Sequence, residues 1–214
     1  MAQFAPVTFL KQTINAFHTT GAIAPSSSFV AREMIRAMPD SASIPENYRV
    51  LEVGPGTGPF SAEIAQRMNG RGQFDVYEIN PEFVAHLQER IDREACFQPM
   101  RAKIKLCLGN VMELDAPGTY DAIVSGLPFN IFAPDDVRKF FEHFRALARK
   151  GGTLSFFEYV GVRPLQKPFV SKERRHRVKQ IAGIVQEFAN AYQYDEKIVR
   201  PNMPPARVRH LRFG

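Results

Sequence analysis

From Tyr48 to Tyr159 short β-rich runs take turns with segments of helical period. That alternation points to a parallel sheet with helices on both faces. The strands read as Tyr48–Val53, Phe74–Ile79, Ile104–Leu108, Tyr120–Ser125 and Thr153–Tyr159. Helices fall over Ser61–Met68, Pro81–Ala95 and Pro134–Arg149, the second opened by a proline whose fixed φ suits a first turn. From Ser171 a long helix carries Val178, Ile181, Val185, Phe188 and Tyr192 as one apolar stripe. The segment from Lys197 to Phe213, with Pro201, Pro204 and Pro205 between β-prone ends, reads as a broken hairpin. It completes a mostly parallel, seven-stranded α/β sheet. This main domain takes residues 41–214, and residues 1–40 form a helical arm. In the arm, Phe4, Val7, Leu10, Ile14 and Phe17 share one helical face. A serine run, Ser26 to Ser28, caps a second helix bearing Phe29, Val30, Met34, Ile35 and Met38.

The composition, 44% hydrophobic and 23% charged, is that of a folded chain with a sizeable core. No apolar run approaches the roughly 18 residues of a membrane span, and no basic segment followed by an apolar run opens the chain. Cys96 and Cys107 lack metal-ligand spacing, so the expectation is a reduced, cytoplasmic protein without a metal. Charge is unevenly placed. Arg163, Lys167, Lys172, Arg174, Arg175, Arg177 and Lys179, against Glu173 alone, hold the entire net excess of +6. A cationic patch on a neutral body calls for an anionic partner: a phospholipid surface, a phosphorylated substrate or nucleic acid.

Directly after the first strand comes Glu52-Val53-Gly54-Pro55-Gly56-Thr57-Gly58-Pro59. The glycines permit positive φ and close approach of backbone to ligand, and the loop leads into a helix N-terminus whose free N–H groups suit a polar group. A dinucleotide fingerprint, G-x-G-x-x-G, requires glycine at 59, where this chain has proline. Glu52-x-Gly54-x-Gly56-x-Gly58 instead resembles motif I of the class I S-adenosylmethionine-dependent methyltransferases. Glu78 ends the second strand, where an acid accepts both ribose hydroxyl hydrogens. With Thr57 and Ile79 beside these positions, the loop and the acid form the expected cofactor site. After the third strand, Asn110 and Val111 stand where the superfamily often has an aspartate facing the adenine amino group. The Asn110 amide oxygen can accept one N–H there, or simply start a loop.

The fourth strand ends in Ser125-Gly126-Leu127-Pro128-Phe129-Asn130, where the superfamily presents its acceptor to the methyl group. Ser125 and Leu127 are expected against the cofactor. The sequence resembles the Asn-Leu-Pro-Tyr loops of amino-group methyltransferases: proline stiffens the turn, carbonyls accept from an amine and an aromatic packs beside it. Methyl transfer is an in-line displacement governed by positioning, with reacting atoms roughly 3–3.5 Å apart. An alkylammonium with pKa around 10 is only about a thousandth neutral at pH 7, so its proton must be steered away. Glu158 and Tyr159 are the candidates for that task, and Phe129 and Tyr159 for facing a methylated cation through their rings.

Over nearly its whole length the chain resembles the bacterial phospholipid N-methyltransferases. The resemblance rests on Gly21-Ala22-Ile23-Ala24-Pro25-Ser26-Ser27, Glu52 to Gly58, Ser125 to Phe129, the basic start at Lys172 to Arg177, and Asn202-Met203-Pro204-Pro205-Ala206. It implies successive methylation of phosphatidylethanolamine towards phosphatidylcholine, with S-adenosylhomocysteine as by-product. It also implies peripheral attachment to the inner face of the cytoplasmic membrane through the N-terminal helix. That helix reads equally as a lid over the cofactor. Arg174 and Arg175, and Arg207 and Arg209 beside the Asn-x-Pro-Pro-Ala loop, are candidates for lipid phosphates. Ornithine-containing lipids and RNA adenine remain alternative acceptors. Nucleic acid is the less expected, because Ser125 replaces the asparagine of the adenine-methylating pattern.

Overall fold

A computed structural model describes residues 27–160, 172–202 and 204–214. The arm's first helix, the basic residues Arg163 and Lys167, Met203 and the side chains of Lys172 and Arg174 lie outside the described residues.

The chain enters through α1 (Ser28–Met34), capped by the Ser27 hydroxyl, which accepts from the Val30 N–H. Then follow β1 (Arg49–Val53), α2 (Pro59–Met68), β2 (Gln73–Glu78), α3 (Pro81–Arg93), β3 (Ile104–Leu108), β4 (Tyr120–Ser125), α4 (Pro134–Leu147), β5 (Ala148–Tyr159), α5 (Lys172–Tyr192), β6 (Gln193–Val199) and β7 (Ala206–Arg212). One seven-stranded sheet has the order β3-β2-β1-β4-β5-β7-β6. β7 runs antiparallel between β5 and β6, and all pairs from β3 across to β5 are parallel.

The sheet carries a core on each face, as a sheet covered on both sides must. One face packs Leu51, Ile123, Leu154 and Phe156 against Phe140, Phe141 and Phe144 of α4 and Val185 and Phe188 of α5. The other packs Val50, Val76, Phe74 and Val208 against Met34 of α1, Ile64 and Met68 of α2 and Leu87 of α3. α3 is opened by Asn80, whose side chain accepts from the Glu82 N–H, with Pro81 in its first turn.

Three stretches depart from the sequence reading, the first being β5, which begins at Ala148 where the reading runs the helix on to Arg149 and starts the strand at Thr153. The edge strand β6 begins at Gln193, earlier than Lys197, because its alternating polar residues hide a solvent-facing strand behind the end of α5. Nine residues of tight 3₁₀ turns, Ala95–Lys103, replace a simple loop before β3.

The β6–β7 connection joins the base of the arm to the sheet. The Asn202 side chain accepts from the Ser27 N–H at 3.1 Å and donates to the Pro204 carbonyl at 2.7 Å. Pro205 accepts from the Val160 N–H at 2.7 Å, just beyond the end of β5. The Asn-x-Pro-Pro-Ala residues thus lie at the rim where the parallel strands end.

Candidate active site

Strand order reverses between β1 and β4, and in an open α/β sheet the crevice beyond the strand ends at that point receives the ligand. Here it is an open cleft whose lining includes Gly54, Gly56, Glu78, Ile79, Asn110, Val111, Leu127 and Pro128. Register brings these together: Val53 pairs with both Tyr77 and Ser125, and Glu78 with Leu108.

Gly54, Gly56 and Gly58 all have positive φ. The close crossing of the two loops is made by Gly126, whose N–H donates to the Val53 carbonyl at 2.8 Å. A Cβ at Gly126 would sit 2.3 Å from the Gly54 carbonyl oxygen. Any side chain there would therefore push the acceptor loop off the glycine loop.

Glu78 is 4% exposed and clips the site together. Its Oε1 accepts from the Ile79 and Asn80 N–H groups at 2.8 and 2.9 Å, and its Oε2 from the Gly56 N–H at 3.3 Å. Burial raises its pKa above the ordinary carboxylate value, with these three N–H groups opposing. Glu52 is fully buried below the loop. The Ser61 hydroxyl of α2 donates to its Oε2 at 2.6 Å, while among the described residues its Oε1 has no hydrogen-bond partner. Burial pushes the Glu52 pKa up to about 8, the Ser61 hydrogen bond opposes, and the neighbouring Glu78 charge adds to the rise.

Asn110 oxygen caps the turn at Val111 by accepting from the Met112 N–H at 3.1 Å. A carboxamide oxygen has a second lone pair, so this capping bond leaves the expected acceptor role towards an adenine N–H open. The adjoining Val111 carbonyl is held by His143 Nε2 at 2.9 Å.

Of the remaining expected cofactor residues, Thr57, Gly58 and Ser125 do not line the cleft: Thr57 is exposed, and Gly58 and Ser125 are buried. Ser125 is fully buried, and its hydroxyl accepts from the Leu127 N–H at 3.4 Å, which braces the acceptor loop from within. Tyr77 and Phe140 line the cleft without having been singled out in the sequence. Tyr77 sits in a strand otherwise read as core, and Phe140 comes from a helix distant in sequence.

The expected trio at the acceptor end is not brought together. Phe129 is 4% exposed and packs on Phe141, Phe156 and Phe140 with ring centroids 5.0, 5.7 and 6.4 Å away. It is core, with no face turned to a methylated cation. Glu158 and Tyr159 are successive strand residues and so address opposite faces. Glu158 accepts from Arg209 Nε at 3.0 Å. Tyr159, partly buried, packs edge-on to Phe157 at 5.3 Å against the core of the other face. Arg209 is itself only 6% exposed. It serves an internal network with Glu158, Glu196 at 3.1 Å and Gln193 at 2.6 Å, which removes it from the phosphate candidates. Arg175 is exposed on α5. Arg207 lies opposite Glu158 in β7, its buried Nε without a partner among the described residues.

The site fits S-adenosylmethionine on its own chemistry. The cleft has a carboxylate for a ribose diol and a turn facing an adenine edge. Beneath the loop, Glu52 Oε1 is buried without a hydrogen-bond partner among the described residues, an unmet polar position that a bound group or a water would complete.

A methyltransferase-domain model matches residues 50–152. The ornithine lipid N-methyltransferase of Singulisphaera acidiphila is 31% identical over 62% of this chain and 67% of its own length. The dimethyladenosine transferase of Schizosaccharomyces pombe is 30% identical over 44% of this chain and 28% of its own. The chain thus spans about two thirds of the first relative and under a third of the second. Among solved structures, a SAM-dependent O-methyltransferase of Thermotoga maritima shares the fold with TM-score 0.55 and 14% identity, over 87% of this chain and 63% of that one. With this cleft at its switch point and these relatives, the chain belongs to the class I S-adenosylmethionine-dependent methyltransferases.

Proposed function

We propose that this methyltransferase N-methylates the amine of an aminolipid headgroup at an anionic membrane surface, with phosphatidylethanolamine as the expected acceptor. The observation that carries this reading is the make-up of the acceptor wall. Among the described lining residues the only carboxylate is Glu78, at the ribose end. The wall itself is Gly126, Leu127 and Pro128. Such a wall positions a nucleophile and provides no side-chain base, which suits an amine acceptor better than a hydroxyl.

S-adenosylmethionine, when bound, supplies an electrophilic methyl group on sulfonium. The chain's part is placement. The Pro128 carbonyl accepts from the Ile131 N–H at 3.1 Å, so the Gly126 and Leu127 carbonyls are the ones proposed to orient the amine. Desolvation against Leu127 and Pro128 lowers an alkylammonium pKa and favours the neutral nucleophile.

Surface chemistry supports a lipid partner. Arg175, Arg177 and Lys179 are exposed on the first half of α5. Phe29 is 53% exposed at the start of α1, close to exposed Arg32. Near an anionic surface each such cation contributes about 1 kcal/mol. Among the described residues no helix is long and apolar enough to cross a membrane, so the proposed association is peripheral, at the inner face of the cytoplasmic membrane. The ornithine lipid relative supports an aminolipid acceptor and makes ornithine lipid the natural comparison. The dimethyladenosine transferase relative favours a second reading, methylation of RNA adenine.

One experiment separates them: labelled methyl donor with phosphatidylethanolamine vesicles, ornithine lipid vesicles or ribosomal RNA in parallel. Label in the phosphatidylethanolamine fraction is expected, with mass spectrometry counting the methyl groups. Label in the RNA alone overturns the lipid reading, and label in ornithine lipid alone corrects the headgroup.

A further inference from the structure

We propose that Arg90 is the positioning residue of the cofactor loop, holding the Thr57–Gly58 peptide in its binding conformation from the side away from the cleft. The inference depends on the methyl-donor site alone and is independent of which acceptor is used.

Arg90 lies in the last turns of α3, amid a polar run, Gln88 to Arg90, that reads as an ordinary solvent face. Its side chain is only 22% exposed. Glu94 takes the guanidinium as a fork, accepting from Nε at 2.6 Å and Nη2 at 2.8 Å. The Phe97 ring lies 5.8 Å from the guanidinium carbon and limits its swing on one side. The remaining nitrogen, Nη1, donates to the Thr57 carbonyl at 2.5 Å. A planar fork fixed by a bidentate carboxylate aims its third nitrogen with little freedom left to lose.

The aim matters because of what that peptide does. A trans peptide turns its carbonyl and its N–H to opposite sides. With the Thr57 carbonyl drawn to Arg90, the Gly58 N–H points back into the loop and donates to the Pro55 carbonyl at 2.9 Å. Glu78 holds the neighbouring Gly56 N–H from the cleft side. The loop is therefore gripped from two sides, by an acid that faces the ligand and by a cation that does not.

The third glycine of the motif is explained by the same contact. Gly58 has φ +81°, and a Cβ there would stand 2.8 Å from both Arg90 Nη1 and Leu87 Cδ1. Gly58 is bare so that α3 can close on the back of the loop.

The test uses calorimetric titration with S-adenosylhomocysteine on Arg90→Met, Arg90→Lys and Glu94→Gln, with circular dichroism as the check on folding. Arg90→Met should remain folded and bind at least tenfold more weakly than wild type. Arg90→Lys, which keeps one donor for the Thr57 carbonyl, should recover much of that loss, a recovery that packing alone would not give. Glu94→Gln, which loosens the fork and leaves Arg90 in place, should weaken binding about threefold. Wild-type affinity in folded Arg90→Met overturns the proposal, as does Arg90→Lys binding no better than Arg90→Met. Should Arg90→Met fail to fold, unchanged affinity in Glu94→Gln overturns it. Failure of the wild-type chain itself to bind S-adenosylhomocysteine would instead strike the cofactor site.

Discussion

Two buried acidic sites lie at different places in this sheet and are treated in opposite ways. At the ends of β1 and β2, burial holds the pKa values of Glu52 and Glu78 above the ordinary range, and the Glu78 charge adds to the rise at Glu52. Under β7, Glu33 of α1 is just as buried, yet the reverse holds. Burial works to raise its pKa, but hydrogen bonds from Arg36 and Lys197 outweigh burial and the pKa is lowered. Lys197 Nζ is 3.0 Å from Glu33, and Arg36 extends the chain of charges to Asp195 at 2.5 Å. His210 lies 3.6 Å from Glu33 and is 2.8 Å from the Ser155 hydroxyl through its other ring nitrogen. Burial keeps this imidazole below its usual pKa and therefore neutral around pH 7. The difference separates a staple from a socket. The Glu33 carboxylate finds its cations, Arg36 and Lys197, within the protein and ties α1 to the sheet, while His210 Nε2 beside it has no hydrogen-bond partner among the described residues. The Glu52 and Glu78 group lacks a cation among its immediate hydrogen-bond partners and leaves Glu52 Oε1 without a partner among the described residues, as a ligand site does.

The sharpest way to break this contrast is to exchange the consequences. Glu78→Ala should weaken S-adenosylhomocysteine binding roughly 100-fold, since two charge-assisted hydrogen bonds are worth about 1.5–3 kcal/mol each before compensation; calorimetry measures it. Glu33→Ala should do the opposite, leaving cofactor affinity within about twofold while costing about 2 kcal/mol of stability. The figure is discounted because Arg36 and Lys197 are 42% and 61% exposed. For a domain of this size that is a melting drop of about 4–8 °C, read by calorimetric scanning. A loss of cofactor affinity without a melting shift would erase the distinction.

Glu52→Gln sharpens the contrast through pH. Between the ordinary glutamate pKa and about 8, native Glu52 holds a proton that the unfolded chain has released. Stability therefore falls as pH rises through that window and levels off above it, by at most about 1.4 kcal/mol per pH unit. Urea unfolding at pH 5.5, 6.5 and 7.5 should show this slope in the wild type and a flatter profile in Glu52→Gln. The smallest effect is expected from Phe129→Leu: about 1 kcal/mol of stability lost to imperfect packing, with methyl transfer retained in a folded sample. Selective loss of turnover at full stability would return Phe129 to the acceptor site.

Much of the architecture was legible because parallel strands bury both faces and their apolar runs stand out between helical stripes. The glycine loop and Glu78 were legible for a related reason: positive φ and a strand-end acid leave marks at single positions. The acceptor side was harder. Glu158 and Tyr159 are neighbours in sequence, and only the period of two in a strand sends them to opposite faces. Arg209 looks like a free cation until β6 brings Gln193 and Glu196 beside it. Arg90 was invisible because its target is a backbone carbonyl, and no residue type at position 57 announces that its oxygen is claimed.

The hydrogen bond from the Ser27 amide to Asn202 has a geometric corollary. It fixes where the polypeptide upstream of Ser27 joins the folded body: at the strand-end rim, on the same edge as Gly126 and Pro128. A single carboxamide between two β-strands thus sets the departure point of the leading segment at the same edge of the sheet as the loop that follows β4.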